Sequence, residues 1–161
     1  MTPPASTARR RLLLLIALFC FGAVGLALIS QYAFDMAPCA WCVMQRMIYL
    51  AMGLIALFAA VGSPALARVG ALLAAILSAC GIAAAWYQYS VAAKMLSCDQ
   101  TFADRFVNGT GLDAAVPSVF GIFATCMDAM VSVLGIEYAI WSLALFVILL
   151  ILALFALFKR H

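Results

Sequence analysis

Two cysteines separated by two residues open an apolar segment, in the stretch PCAWCVMQR at residues 38–46. A Cys-x-x-Cys pair by itself fits either redox or metal chemistry. If a helix begins near Pro38, a residue that suits a first helical turn, then Cys39, Cys42 and Arg46 stand at positions i, i+3 and i+7. Those positions share one helical face. A helix N-terminus and a nearby cation both favour the thiolate, the reactive form of cysteine. The spacing therefore predicts two reactive thiols and a guanidinium in one stripe.

The composition of the chain indicates that its solvent is lipid. Of its 161 residues, 69% are hydrophobic and 9% are charged, whereas soluble domains carry roughly a quarter charged residues. A chain this short cannot bury so much apolar surface in a water-soluble core. The formal net charge is +3, but the basic residues are scattered at the ends of apolar runs. We interpret them as topology signals and expect no nucleic-acid partner.

Apolar runs predict an all-α membrane protein, a bundle of four transmembrane helices that forms a single domain over residues 1–161. The first run follows three arginines, as a signal peptide would, but its length of about 18 residues exceeds that of a signal h-region. We therefore interpret it as a transmembrane helix. The predicted spans are residues 12–29, 43–61, 69–89 and 138–158.

The predicted loops carry the polar residues. The first covers residues 30–42 and the second, much longer, covers residues 90–137. Residues 116–134 of the second are moderately apolar but are interrupted by Asp128, so they could hold a short interfacial helix and not a span. Six of the nine basic residues fall on the opposite face, which the positive-inside rule places in the cytoplasm together with both termini. These basic residues are Arg9, Arg10, Arg11, Arg68, Lys159 and Arg160.

The cysteines divide between loops and spans. Cys39, Cys42, Cys98 and Cys126 fall on the outer side, which in a bacterial inner-membrane protein is the periplasm, where disulfides persist. The other two of the six cysteines, Cys20 and Cys80, lie within spans, and we expect them to pack as small hydrophobic residues.

Three interpretations of the outer cysteines differ in how well the spacing fits them. Structural disulfides suit Cys98 and Cys126, because a bond between them would close the long loop. The same interpretation suits the close pair badly, because closing two residues gains little entropy and such rings are typically labile or catalytic. A zinc site built from all four cysteines would lack the usual second Cys-x-x-Cys, and the single histidine, His161, lies at the end of the chain. The spacing favours a redox site.

A thiol oxidase needs an electron acceptor, and the sequence favours one dissolved in the membrane. It has neither a Gly-rich dinucleotide fingerprint after a strand nor a haem-attachment motif, so we expect no flavin and no metal. A lipid quinone fits, since it takes the two electrons that a dithiol gives up. Cys42 could donate charge to the quinone ring and Arg46 could stabilise negative charge on its oxygen. The alternative for Arg46 is an interfacial anchor whose side chain snorkels.

With these features the chain resembles the disulfide bond formation protein B (DsbB) family of bacterial membrane thiol oxidases, over about residues 12–158. The resemblance rests on the four-span layout, on the pattern from Pro38 to Arg46, and on Cys98 followed by VF at 119–120 and by Cys126. It also rests on LGIE at 134–137 and WSL at 141–143. The chain departs from the family at Gln45, where many members carry Glu.

The resemblance implies a route for electrons. A reduced DsbA-like periplasmic thiol oxidase would attack a Cys98–Cys126 disulfide, with Cys98 as the site of the mixed disulfide. Cys126 would then attack Cys39, and Cys42 would face ubiquinone, or menaquinone, with Arg46 assisting. The long loop would have to move for the two pairs to meet. Two alternatives stay open: a non-catalytic or redox-sensing membrane protein with structural disulfides, and a family paralogue dedicated to a special partner.

Overall fold

Long apolar helices dominate the structure, a computed structural model that describes the backbone of residues 4–94 and 101–159 and the side chains from residue 7 onward in those ranges. Within these described ranges, four helices are long and apolar enough to cross a membrane, which confirms the predicted all-α membrane bundle. They are α1 (Pro4–Ala33), α2 (Ala40–Val61), α3 (Pro64–Ser90) and, numbered after three short helices of the long loop, α7 (Tyr138–Phe158).

The four long helices pack in a ring, in which α1 and α3 each contact both α2 and α7. Small residues let the helices approach closely, as is usual in membranes. A Cβ atom added at Gly70 on α3 would collide with the Cβ of Ala59 on α2, and one added at Gly81 would collide with the ring of Phe146 on α7. The core between the helices is therefore closely packed.

The ends of α1 and α7 are tied together far from the cysteines. Arg9 is buried, and its Nε donates to the carbonyl oxygen of Ala156 at 2.8 Å while its Nη2 donates to that of Lys159 at 2.6 Å. Carbonyl groups in the last turn of a helix lack partners within the helix, so a basic side chain from a neighbour satisfies them. These hydrogen bonds fasten the N-terminal half of α1 to the C-terminus of α7.

The loop between α3 and α7 is more structured than the sequence predicts. After a short 3₁₀ turn (Ala92–Lys94), the described part resumes with α4 (Phe102–Thr110), which begins with a capping box formed by Thr101 and Asp104. The remaining elements are α5 (Leu112–Ala115), α6 (Pro117–Phe120), β1 (Ser132–Val133) and β2 (Ile136–Glu137). The two strands form a short antiparallel hairpin that turns through Leu134 and Gly135, both with positive φ.

Several boundaries and placements differ from the sequence predictions. The predicted interfacial segment 116–134 contains the short helix α6 and the strand β1, and the longer loop helix, α4, precedes it. Helix α2 begins at Ala40 with Cys39 as its N-cap, so Pro38 precedes the helix and does not form its first turn. Cys20 packs in the core as expected, whereas Cys80 is exposed on the outer surface of α3.

Candidate functional site

The Cys-x-x-Cys pair lies at the N-terminus of α2. Cys39 is the N-cap, with extended backbone angles, and its carbonyl accepts from the N–H of Val43 at 3.0 Å. The following turn of helix brings Cys42 back beside it, so that the two Sγ atoms are 3.2 Å apart. Cys39 is fully buried and Cys42 is half-buried. The two sulfurs lie at the positive end of the helix dipole, where a thiolate is stabilised.

Cys126, from the long loop, packs against the same cluster of buried residues. The interaction between the neighbouring thiols of Cys39 and Cys126 has opposite effects on the two residues. It lowers the pKa of Cys126, which is thereby favoured as the thiolate, and it raises the pKa of Cys39 to about 12. The structure thus brings Cys39, Cys42 and Cys126 together, while Cys98 lies outside the described residues.

The segment before Cys126 is held on the helical bundle by backbone hydrogen bonds. The carbonyl oxygen of Pro38 accepts from the N–H of Phe123 at 3.0 Å and from that of Ala124 at 3.3 Å. The Tyr32 hydroxyl on α1 donates to the carbonyl oxygen of Ser118 at 2.6 Å. Because Pro38 directly precedes Cys39, the two contacts to its carbonyl place the loop next to the thiols.

Arg46 is buried and does not snorkel; its exposed fraction is 5%. Its Nη1 donates to the side-chain oxygen of Gln31 at 2.7 Å and to the carbonyl oxygen of Val119 at 3.0 Å, and its Nη2 donates to the carbonyl oxygen of Ala27 at 3.4 Å. All three acceptors are neutral, so none of them balances the positive charge of the guanidinium. That charge is available to a ligand that develops negative charge.

A chain of hydrogen bonds between neutral side chains ends at the two sulfurs. The Ser142 hydroxyl on α7 donates to Oε1 of Gln45 at 2.6 Å, and Nε2 of Gln45 donates to Oε1 of Gln88 at 2.7 Å. Nε2 of Gln88, on α3, lies 3.2 Å from the Sγ of Cys42 and 3.6 Å from that of Cys39. Sequence reasoning missed Gln88 and Ser142 as site residues, although a lone polar residue in an apolar span is itself a functional signal.

A cavity of about 620 Å³ lies beside the thiols, between α1, α2 and α7. Its polar end contains Cys42, Gln45, Arg46, Tyr49, Gln88 and Ser142. Much of the remaining wall is apolar and includes Leu26 of α1 and Ile148 of α7, which are 64% and 48% exposed on the outer surface of the bundle. The cavity therefore joins the thiols to a surface that hydrocarbon would cover.

Within the described residues, histidine, cysteine, aspartate and glutamate side chains form no cluster that could hold a metal ion. Cys98 and His161 fall outside this statement, because the structure does not describe them. The side chains brought together around Cys42 can exchange disulfides and stabilise negative charge, which is the chemistry of a dithiol that transfers electrons.

Comparison with known proteins agrees with this chemistry. Residues 9–156 match the family model of disulfide bond formation protein DsbB. The chain is 36% identical to disulfide bond formation protein B of Cupriavidus necator, covering 89% of this chain and 90% of that relative. It is 33% identical to the protein of that name from Pseudomonas syringae pv. tomato, covering 89% of this chain and 86% of the relative. Its identity to the Ralstonia nicotianae protein is 32%, with coverage of 94% and 96%.

Proposed function

Because the chain belongs to the disulfide bond formation protein B family and is a multi-pass inner-membrane oxidoreductase that forms disulfides, we propose that it reoxidises a DsbA-like dithiol protein and delivers the electrons to a membrane quinone. One observation supports this proposal above the others: the Cys39–Cys42 pair lies between the loop cysteine Cys126 on one side and the apolar cavity on the other. A dithiol placed there can receive electrons from the loop and release them into the membrane.

The first half of the proposed reaction is thiol–disulfide exchange. A thiolate of the partner attacks Cys98 in the Cys98–Cys126 disulfide, forms a mixed disulfide with Cys98 and releases Cys126 as a thiolate; the choice of Cys98 comes from the family resemblance. The Cys126 thiolate then attacks Cys39, which breaks the Cys39–Cys42 bond and releases the Cys42 thiolate. The contact between Cys126 and Cys39, and the lowered pKa of Cys126, support this step.

The second half restores both pairs. The partner's second thiolate attacks its own sulfur in the mixed disulfide, so the partner leaves oxidised and Cys98 is released as a thiolate. Cys98 attacks Cys126, which re-forms the loop disulfide and releases Cys39. Cys39 and Cys42 then give up two electrons and two protons and re-form their bond. A quinone supplies an acceptor for that number of electrons and protons.

The cavity fits a quinone in size and in the chemistry of its walls. Its volume of about 620 Å³ lies within the range of roughly 300–1,000 Å³ that small-molecule sites occupy. The polar end presents Arg46 and Cys42, which would bind the head group, and the apolar walls of α1 and α7 suit an isoprenoid tail. Arg46 would stabilise the negative charge that develops on a quinone oxygen. Ubiquinone is the proposed acceptor, with menaquinone as the alternative that the assay distinguishes.

We propose the periplasmic side for the cysteines and the cytoplasmic side for both termini. Arg9, Arg68 and Lys159 all lie at the end of the bundle opposite to the Cys-x-x-Cys pair, since α1 runs toward that pair and α2 runs away from it. The positive-inside rule supports this orientation.

The test is quinone reduction by the purified protein in detergent, with a reduced DsbA-like protein as the electron donor and quinone absorbance as the readout. We expect turnover with the parent protein and none with Cys42→Ser, because serine cannot form the disulfide. Cys80→Ser is the matched control: Cys80 is exposed on α3 and lines no part of the cavity, so turnover should remain. Absence of turnover with ubiquinone and with menaquinone, from folded protein, would overturn the proposal in favour of a structural or redox-sensing role.

A further inference from the structure

The side-chain amide of Gln88 faces the two redox sulfurs from the neighbouring helix. Gln88 is 8% exposed, and its Nε2 lies within hydrogen-bond distance of Cys42 and of Cys39. An amide N–H that donates to a sulfur favours the thiolate over the thiol, because it stabilises the charged form. Nothing in the exchange route described above requires this residue.

The Gln88 amide presents its oxygen to Gln45 and its nitrogen to the sulfurs. An amide has a donor end and an acceptor end, so a chain of such groups has a direction. The Ser142 hydroxyl donates its one hydrogen to Oε1 of Gln45, which leaves the Gln45 amide nitrogen to donate to Oε1 of Gln88. The Tyr49 hydroxyl lies 3.0 Å from Ser142 Oγ and 3.2 Å from the Ser142 carbonyl oxygen, so both atoms can accept its hydrogen. The nitrogen of Gln88 is thereby turned toward the sulfurs.

On the basis of the function proposed above, we propose that Gln88 is a catalytic residue that stabilises the Cys42 thiolate through its amide N–H, and that Gln45 is the positioning residue that turns this amide toward the sulfur. The pair of glutamines supplies this stabilisation without a second charge in the membrane. It makes the Cys39–Cys42 disulfide a stronger oxidant, because a stabilised reduced form raises the reduction potential of a dithiol pair.

Replacing Gln45 with glutamate is expected to reverse the donor-to-acceptor direction of these hydrogen bonds. A carboxylate offers acceptors alone, so Gln88 would donate to Glu at position 45 and present its carbonyl oxygen to Cys42. An oxygen acceptor beside the sulfur disfavours the thiolate. The isosteric change Gln45→Glu is therefore expected to act on the sulfur in the same direction as Gln88→Leu, which removes the donor altogether.

The measurement is the reduction potential of the Cys39–Cys42 pair in the full-length chain with Cys98→Ser and Cys126→Ser. In this variant Cys39 and Cys42 are the only loop cysteines that remain to form a disulfide. The protein is equilibrated in glutathione buffers, quenched in acid, alkylated and analysed by mass spectrometry of the peptides. This readout needs neither quinone nor partner, so it can fail while quinone turnover succeeds. We expect Gln88→Leu to change the equilibrium constant by about tenfold toward the disulfide, a fall of about 30 mV for this two-electron couple.

Two comparisons exclude a general structural effect. Ser78→Ala also removes a buried polar group from α3, one that bonds to Met52 and Ala74 away from the sulfurs, and it should leave the potential unchanged. In a double-mutant cycle, Gln45→Glu should lower the potential when Gln88 is present and have little further effect when it is leucine. If Gln88→Leu does not fold, the test relies on the potential of Gln45→Glu, a change that keeps the volume of the side chain. Potentials equal to that of the parent in the folded variants, or a Gln45→Glu effect that persists without Gln88, would overturn the proposal.

Discussion

Cys126 and Cys39 differ in acidity because their neighbouring thiols interact. Cys39 keeps its proton to a high pH, whereas Cys126 loses its proton more easily than an ordinary cysteine. In the proposed exchange Cys126 is the attacking sulfur, so its lowered pKa favours the thiolate form that the attack requires. A thiolate attacks fastest when its pKa lies near the ambient pH.

We expect this difference to appear in the pH dependence of alkylation. In the fully reduced protein, Cys126 should reach its half-maximal reaction rate at a lower pH than an ordinary thiol, whose pKa is about 8.5. The change Cys39→Ala removes the neighbouring thiol and should move that midpoint upward, whereas Cys39→Ser keeps a polar group there and should move it less. The check is the iodoacetamide rate at Cys126, followed by peptide mass spectrometry over a pH series. Equal midpoints in the parent and Cys39→Ala would contradict the effect of Cys39 on Cys126.

The residues proposed to carry the chemistry can be chosen from the sequence, but the contacts that support them cannot. The Cys-x-x-Cys motif makes Cys39 and Cys42 candidates because the spacing of two is itself informative. Gln88 is separated from Cys42 by 46 residues, and its approach depends on how α3 packs on α2. Likewise, the interfacial position of Arg46 was predicted from its place near the end of a span, yet its side chain turns inward to three oxygens.

At the scale of the elements, glycines determine how closely the helices approach. Gly70 on α3 meets Ala59 on α2 with no room for a further carbon, whereas Gly22 on α1 has nothing within 4 Å of the position where a Cβ would stand. Both residues lie within helices of similar apolar composition, so they form a matched pair for a test of packing.

The change Gly70→Ala should destabilise the bundle by about 1–3 kcal/mol, the usual cost of overpacking, because α2 and α3 must move apart. Gly22→Ala should leave the stability unchanged or raise it, since alanine favours the helix and meets nothing. Thermal unfolding in detergent, followed by circular dichroism, compares the two variants. Similar melting temperatures for both would mean that the close contact at Gly70 contributes little.

The four long helices were predicted well because length and hydropathy are local properties: the predicted last span, residues 138–158, coincides with α7. The loop was predicted poorly because its helices are short and depend on contacts with the bundle. Helix α4, for example, buries Ala103 and Val107 in the cluster that also contains Cys39. No periodicity of the loop sequence alone reveals that docking.

At the scale of the whole molecule, the end of the bundle away from the cysteines is basic. Three basic residues at that end, Arg9, Arg68 and Lys159, are separated from the cysteines by the length of the helices. The loop that carries Cys126 covers the opposite end. This asymmetry supports one orientation in the inner membrane.

Labelling of introduced cysteines can check the orientation. In full-length protein whose own cysteines are replaced by serine, Ala114→Cys on α5 should react with a membrane-impermeant maleimide in intact spheroplasts. Ala65→Cys, at the start of α3, should react after the membrane is permeabilised and not before. Both positions are exposed, so accessibility within the protein does not explain a difference. The reverse pattern would place the cysteines in the cytoplasm and contradict the proposed route.

The hydrogen bonds by which Arg9 joins α1 to α7 affect the path by which a lipid-soluble electron acceptor could reach the cysteines. The two helices are joined by hydrogen bonds at the Arg9 end, while the cavity separates them near the cysteines. The seam between them, meaning the line along which α1 and α7 face each other, is thus closed at the depth of Arg9 and open at the depth of the cavity. A lipid-soluble electron acceptor that enters sideways along this seam must come from the leaflet on the cysteine side. Under the proposed function, acceptor molecules in the other leaflet would become available only after crossing the bilayer, so the usable pool would be the one that shares a leaflet with the thiols.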